Sequence, residues 1–119
     1  MKKVLITGMS GLIGGILRRY LDSVGGYELS ALNRSSVEGV EWFKADIADL
    51  DAVEKAFVGK EVVVHLAVGQ GSLAGQFSGT IEGTYNVYEA ARRTGVKRVV
   101  YASSGKTIRG YTNIEPYKA

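Results

Sequence analysis

The sequence predicts an α/β fold of three layers, a parallel sheet with helices on both faces. Three observations lead there. Short apolar runs alternate along the chain with stretches whose apolar residues recur three and four apart, the first such pair being residues 4–6 and residues 12–21. The first switch from one pattern to the other passes through glycines spaced by three, Gly8, Gly11 and Gly14. Residues 61–66 contain three consecutive valines, the pattern of a central strand covered on both faces. Right-handed crossovers between successive strands give the sheet order 3-2-1-4-5.

The elements follow in order. Residues 3–7 read as the first strand and residues 12–24 as the first helix. On that helix Ile13, Ile16, Leu17, Tyr20 and Leu21 recur at helical spacing, with Arg18, Arg19 and Asp22 opposite, and Gly25-Gly26 stops it. Residues 27–32 are the second strand, ending at Asn33-Arg34-Ser35-Ser36. Residues 40–44 form a short third strand, and Asp49 or Asp51 is placed to start a helix over 52–57. After the fourth strand, residues 61–66, a flexible loop over 67–72 leads to a helical stretch from about 81 to 94, ended by Gly95. Residues 97–102 are the fifth strand and run into Ser103-Ser104. Residues 106–119 show no clear periodicity.

At the first turn the chemistry follows from what glycine lacks. Gly8 can adopt backbone angles closed to other residues, Gly11 lets the main chain approach a phosphate, and Gly14 lets the helix lie close to the strand. The new helix directs its unpaired N–H groups and positive dipole end over the loop, where a pyrophosphate is the natural guest. A merely structural glycine turn is the alternative. The strand before, helix after and second strand within about 30 residues are the context that a dinucleotide site requires. In a sheet of this order ligands bind beyond the carboxyl ends of the strands, where the order reverses. The glycine loop, Asn33-Arg34, Asp46, the loop after Leu66 and Ser103-Ser104 all follow strands, so they face one crevice.

Composition narrows the classes. With 119 residues the chain is expected to form one domain, residues 1–119, large enough for a real core. Net charge is +3, but its 15 basic and 12 acidic residues are interleaved, with no like-charge run longer than Lys2-Lys3 or Arg92-Arg93, so no nucleic-acid surface is indicated. The absence of cysteine excludes disulfides and thiolate metal sites, and the single histidine, His65, excludes a multi-histidine metal site. The opening apolar run is too short for a secretory signal, and no stretch approaches the roughly 20 residues of a membrane span. A soluble cytoplasmic protein without membrane, nucleic-acid or metal partners is the expectation.

Several motifs together resemble the N-terminal half of an extended short-chain dehydrogenase/reductase of the sugar-nucleotide epimerase/dehydratase type, a Rossmann fold. Thr7-Gly8-Met9-Ser10-Gly11-Leu12-Ile13-Gly14 is similar to that family's T-G-x-x-G-x-x-G signature. His65-Leu66-Ala67 resembles its H-L-A motif, Asp46-Ile47 its adenine-contacting D-[ILV], and residues 83–91 its G-T-x-N-[VL]-x-E-A-A helix. Residues 96–104 resemble its V-K-[RK]-x-V-[YF]-x-S-S strand.

The resemblance implies a nicotinamide dinucleotide as partner and hydride transfer to or from a sugar or similar carbonyl/alcohol carbon. It implies cofactor contacts at Gly8, Ser10, Gly11, Leu12, Ile13 and Gly14 for the pyrophosphate, and at Asn33, Arg34 and Ser35 for the adenosine ribose. It also implies Asp46 and Ile47 at the adenine, Leu66, Ala67 and Val68 beneath the adenosine, and Ser104 as the substrate-hydroxyl serine. Arg34 stands where an acid would select the 2′-hydroxyl of NAD, and a guanidinium offers a fork of donors to a 2′-phosphate. NADP is therefore expected, with NAD the alternative. A solvated surface arginine, a loop-capping Asp46 and a structural His65 are the plainer readings of those residues. Tyr85 and Tyr88 lie on the helix that in the family faces a dimer partner, so a homo-oligomer is expected.

Three departures stand out. Thr80 occupies the position of a family asparagine. Beyond Ser104, Thr107-Ile108-Arg109-Gly110 replaces the family's V-Y-G. No tyrosine has a lysine four residues later, so the family's Tyr-x-x-x-Lys pair for proton transfer is absent from these 119 residues. Tyr117-Lys118 is adjacent and has the wrong spacing. The expectation is a chain that binds cofactor without turnover, the alternative being a non-catalytic dinucleotide-sensing or regulatory module.

Overall fold

The computed structural model describes residues 1–104. The expectations for Thr107, Ile108, Arg109, Gly110, Tyr117 and Lys118 lie outside those residues. Five strands, β1 (Lys2–Thr7), β2 (Tyr27–Asn33), β3 (Glu41–Lys44), β4 (Val62–His65) and β5 (Arg98–Tyr101), form one sheet. Every pairing is parallel and the order is β3-β2-β1-β4-β5, as the crossover rule requires. Thr7 pairs with Leu32 on one side and His65 on the other, and His65 pairs with Tyr101, so the carboxyl ends of the strands line up on one edge.

Side chains of successive strand residues point to opposite faces, which divides the core in two. On one face Leu5, Leu32 and Val63 pack with Val53, Ala56 and Phe57 of helix α2 (Leu50–Phe57) and with Val87 and Ala90 of helix α4 (Gly83–Thr94). On the other, Val4, Ile6, Leu29 and Ala31 pack with Met9 and with Leu17 and Leu21 of helix α1 (Leu12–Val24). Gly25 ends α1 at φ +73 and donates its N–H to the Leu21 carbonyl. Of the two acids proposed to start α2, Asp49 does so, its carboxylate accepting the Ala52 N–H at 3.2 Å, and the helix begins at Leu50 rather than Ala52.

Two expectations change. The strand predicted to be covered on both faces buries Val63 and His65 fully, but Val62 and Val64 only half. Among the described residues α1 is the one helix on that face, and it lies over β1 and β2. For the same reason Ile13, Ile16 and Tyr20 of the predicted apolar stripe remain 62%, 51% and 61% exposed, while Leu17 and Leu21 reach the core.

The second change concerns residues 73–80, which lie between the predicted loop and the predicted helix start near 81 and carry no assignment in the sequence reading. They are helical: α3 (Leu73–Gln76) passes into a π-helical turn (Phe77–Glu82) that continues directly into α4. Gly75, Gly79 and Gly83 make this stretch and its junction with α4 a poor helix by propensity. They also allow the close packing that stabilises it. A side chain at Gly75 would overlap the Gln70 carbonyl, one at Gly79 would overlap Gly69, and one at Gly83 would come within 2.5 Å of Ile47.

Candidate functional site

A cavity of about 460 Å³ opens at the carboxyl edge of the sheet, where the strand order reverses between β1 and β4. Its wall begins with Gly8, Ser10 and Gly11. Gly8 holds φ +72, and a Cβ there would stand 2.9 Å from the Ala67 nitrogen, so the first loop and the loop after β4 touch through glycine. Gly11 is the N-cap of α1, donates its own N–H to the Gly8 carbonyl at 3.1 Å, and leaves the helix without a side-chain cap. No acid sits in the first turn either. The first amides of α1 thus have neither an intrahelical acceptor nor an internal anion. An external anion fits there.

Beyond β2 the wall continues with Asn33, Arg34 and Ser35. The nearly buried Asn33 amide donates to Ser10 Oγ at 3.0 Å, to the Ser35 carbonyl at 2.8 Å and to Ser35 Oγ at 3.0 Å. One side chain thereby fixes two hydroxyls, from separate loops, on the rim of the cavity. Arg34 beside them is exposed. Its guanidinium is available to an anion at the rim.

Asp46 and Ile47 follow β3 on the same wall. Asp46 Oδ1 accepts the Ala48 N–H at 2.9 Å, so part of this carboxylate shapes its own turn. Ile47 is buried, and its carbonyl accepts the Asn86 amide of α4 at 3.0 Å. Leu66, Ala67 and Val68 line the cavity from the β4 side.

Gly69 and Gln70, in the loop after Leu66 that the sequence placed on the crevice, also face the cavity, and sequence reasoning missed Gly75, Ser78 and Gly79 beside them. The glycines recurring every four residues from Gly71 are the signal that could have found them, since that spacing marks the close-packed side of a helix. Thr80, the departure from the family asparagine, accepts the Gly69 N–H on its hydroxyl at 2.9 Å and so pins this loop to the π-helical turn. Leu12, Ile13, Gly14 and Ser104 do not contribute to the cavity wall. Leu12 is 81% exposed and Gly14 is buried beneath the loop, where a Cβ would overlap the Gly8 carbonyl. Ser103 and Ser104 are exposed beyond β5, outside the strands that frame the cavity.

His65 lies below the cavity, fully buried and bonded at both ring nitrogens: Nδ1 is 2.7 Å from Thr7 Oγ1 and Nε2 is 3.2 Å from Thr84 Oγ1. Tyr101 stacks on its ring with centroids 5.5 Å apart. Burial lowers its pKa from 6.5 to about 4, so the imidazole is neutral at neutral pH. Among the described residues no three carboxylates or histidines converge as metal ligands, and no helix is long and apolar enough to cross a membrane.

A family model described as "NAD dependent epimerase/dehydratase family" matches residues 4–118. The chain is 37% identical over 124 residues to a uronate dehydrogenase of Agrobacterium fabrum, covering 97% of this chain and 45% of that protein. It is 32% identical over 114 residues to an L-arabinose 1-dehydrogenase (NAD(P)(+)) of Haloferax volcanii, covering 93% of this chain and 44% of that one. The chain therefore spans about half the length of these relatives. Among solved structures, a mutant uronate dehydrogenase of Agrobacterium tumefaciens complexed with NAD superposes with a TM-score of 0.77 at 34% identity, over 87% of this chain and 41% of that one. With the glycine turn, the strand order and the cavity at the switch point all in the places this match requires, the chain belongs to the NAD dependent epimerase/dehydratase family.

Proposed function

We propose that the cavity is the dinucleotide site of an oxidoreductase that moves a hydride between nicotinamide and a carbon of a sugar or similar alcohol/carbonyl compound. The observation that carries this reading is the uncapped, acid-free start of α1 beside Gly8 and Gly11 on the cavity wall. The amides of this turn would hold the pyrophosphate, Asn33, Arg34 and Ser35 the adenosine ribose, and Asp46, Ile47, Leu66, Ala67 and Val68 the adenine side. Ser104 would hydrogen-bond a substrate hydroxyl. The bound nicotinamide supplies the hydride acceptor or donor, and the chain supplies binding and orientation.

Arg34 at the rim, with no acid between Ala31 and Ser36, supports NADP over NAD. Titration calorimetry with NADPH and NADH tests both points. Arg34→Ala is expected to weaken NADPH about 10- to 100-fold and leave NADH within about twofold, matching the worth of a charge-assisted phosphate contact. Failure of the wild-type chain to bind either dinucleotide would overturn the reading.

A second reading rests on one observation, the lack of a Tyr-x-x-x-Lys pair in these 119 residues. It is dinucleotide sensing or binding without turnover by this polypeptide. Sugar-dependent reduction of NADP or NAD by the purified chain would overturn it. Exposed Leu73, Phe77, Ile81 and Tyr85, each four residues from the last, support self-association along α3 and α4.

A further inference from the structure

The buried histidine has no part in the reading above, and its hydrogen bonds can be counted to a single arrangement. Thr7 Oγ1 accepts the Ala67 N–H at 3.1 Å and is the nearer acceptor of the Leu66 N–H, at 3.0 Å against 3.3 Å to the Thr7 carbonyl. A hydroxyl oxygen has two lone pairs, and both are now used. Its proton must therefore go to a third group, and His65 Nδ1 stands 2.7 Å away. For Nδ1 to accept, the ring must be neutral with its proton on Nε2, where Thr84 Oγ1 at 3.2 Å receives it. This arrangement gives both ring nitrogens and the Thr7 hydroxyl proton a partner.

We propose that His65 is a positioning residue for the cavity: by accepting the Thr7 proton it turns both lone pairs of Thr7 Oγ1 toward Leu66 and Ala67, and so holds the loop after β4 against the glycine loop. The two loops it ties are those that meet at Gly8, where a Cβ would stand 2.9 Å from the Ala67 nitrogen, leaving no slack for either to drift. Thr84 extends the tie to the first turn of α4, and Tyr101 seats the ring from the end of β5. A ring protonated on both nitrogens would aim an N–H at an oxygen with no lone pair to spare, and one loop amide would have to let go. The lowered pKa agrees with this, since it keeps the ring neutral across the physiological range. That the held loops shape a dinucleotide site rests on the proposed function; that His65 holds them does not.

The test uses the whole chain and reads the loop directly. In the unaltered protein the histidine ¹⁵N resonances are expected to report a proton on Nε2 and an accepting Nδ1; the opposite tautomer would overturn the proposal. Hydrogen exchange of the Leu66 and Ala67 amides is then compared in wild type, His65→Leu and His65→Asn. His65→Leu removes the acceptor and is expected to speed exchange about tenfold at Ala67 and less at Leu66, whose N–H keeps the Thr7 carbonyl, with the β1 and β2 ladder amides unchanged. His65→Asn returns an oxygen acceptor near the Nδ1 position and is expected to restore most of the protection. Unchanged exchange in His65→Leu, or an equal rise throughout the sheet, would mean that His65 only fills space. NADPH affinity is expected to fall about tenfold in His65→Leu and recover in His65→Asn. If wild type binds no dinucleotide, the functional reading falls while tautomer and exchange still decide the role of His65.

Discussion

At the scale of single residues the site depends on groups whose partners are fixed by burial rather than by charge. Asn33 spends its amide on Ser10 and Ser35, leaving Arg34 as the one described cation on the wall after β2, which is why the proposed preference for NADP is placed on that side chain. His65 carries a pH dependence whose sign is set by its depressed pKa. Well above pH 6.5 the ring is neutral in both folded and unfolded chains and contributes no slope. As the pH falls from 6.5 to about 4 the unfolded chain takes up the proton first, and stability drops; below about 4 both states are protonated and the loss is complete. The total is about 3 kcal/mol at most. Urea unfolding at pH 7, 5.5 and 4.5 is expected to show this decline, and His65→Asn to remove that part of it while the carboxylates keep theirs. His65 was legible in the sequence as a satisfied strand-end residue. Its two threonine partners were not, because Thr7 lies 58 positions away and Thr84 lies 19.

At the scale of elements, glycine has opposite meanings one residue apart. A Cβ at Gly14 would overlap the Gly8 carbonyl and pry α1 off the turn, whereas a Cβ at Gly15 meets its nearest neighbour, the Arg19 guanidinium, at 3.7 Å. Gly14→Ala is therefore expected to destabilise by about 1–3 kcal/mol. Gly15→Ala is expected to stabilise by about 0.5–1 kcal/mol, because alanine is the better helix former and nothing obstructs it. Thermal melts of the two variants decide the signs. The helix over residues 73–94 carries its apolar residues outward at Leu73, Phe77, Ile81 and Tyr85. Phe77→Ser is expected to shift the chain toward monomer in sedimentation velocity with a melting temperature within a few degrees of wild type, since an exposed ring contributes little to the fold.

At the scale of the whole molecule the two faces of the sheet are unequally covered. Helices α2 and α4 bury one face, and Arg93 of α4 bonds Glu54 of α2 at 3.0 Å across their outer side. That pair lies at the surface and is worth about 0–1 kcal/mol, so the apolar contacts beneath it hold the helices together. The other face has α1 alone among the described residues and leaves Ile13, Ile16, Tyr20 and Val100 about half exposed or more. Exposed apolar side chains of this kind bind hydrophobic dyes. Anilinonaphthalene sulfonate fluorescence is expected to rise with the native chain and to fall in Ile16→Lys, with stability changed by no more than about 0.5 kcal/mol. Equal fluorescence from the two proteins would place the apolar surface elsewhere.

The sequence by itself determined the α/β class, the parallel order β3-β2-β1-β4-β5, the glycine turn and most wall residues contributed by the loops after the first four strands. These are written in local spacing, and the handedness of crossovers converts them into a topology without further information. Only the tertiary structure decided that residues 73–80 are helical, that Gly75, Ser78 and Gly79 complete the wall, and that α1 and β4 are half covered. The glycines there oppose a helix when read locally and permit one only because Gln70, Gly69 and Ile47 come close enough to pack where side chains would have stood. Propensity belongs to a residue and its neighbours in the chain; burial belongs to whatever the rest of the chain brings against it.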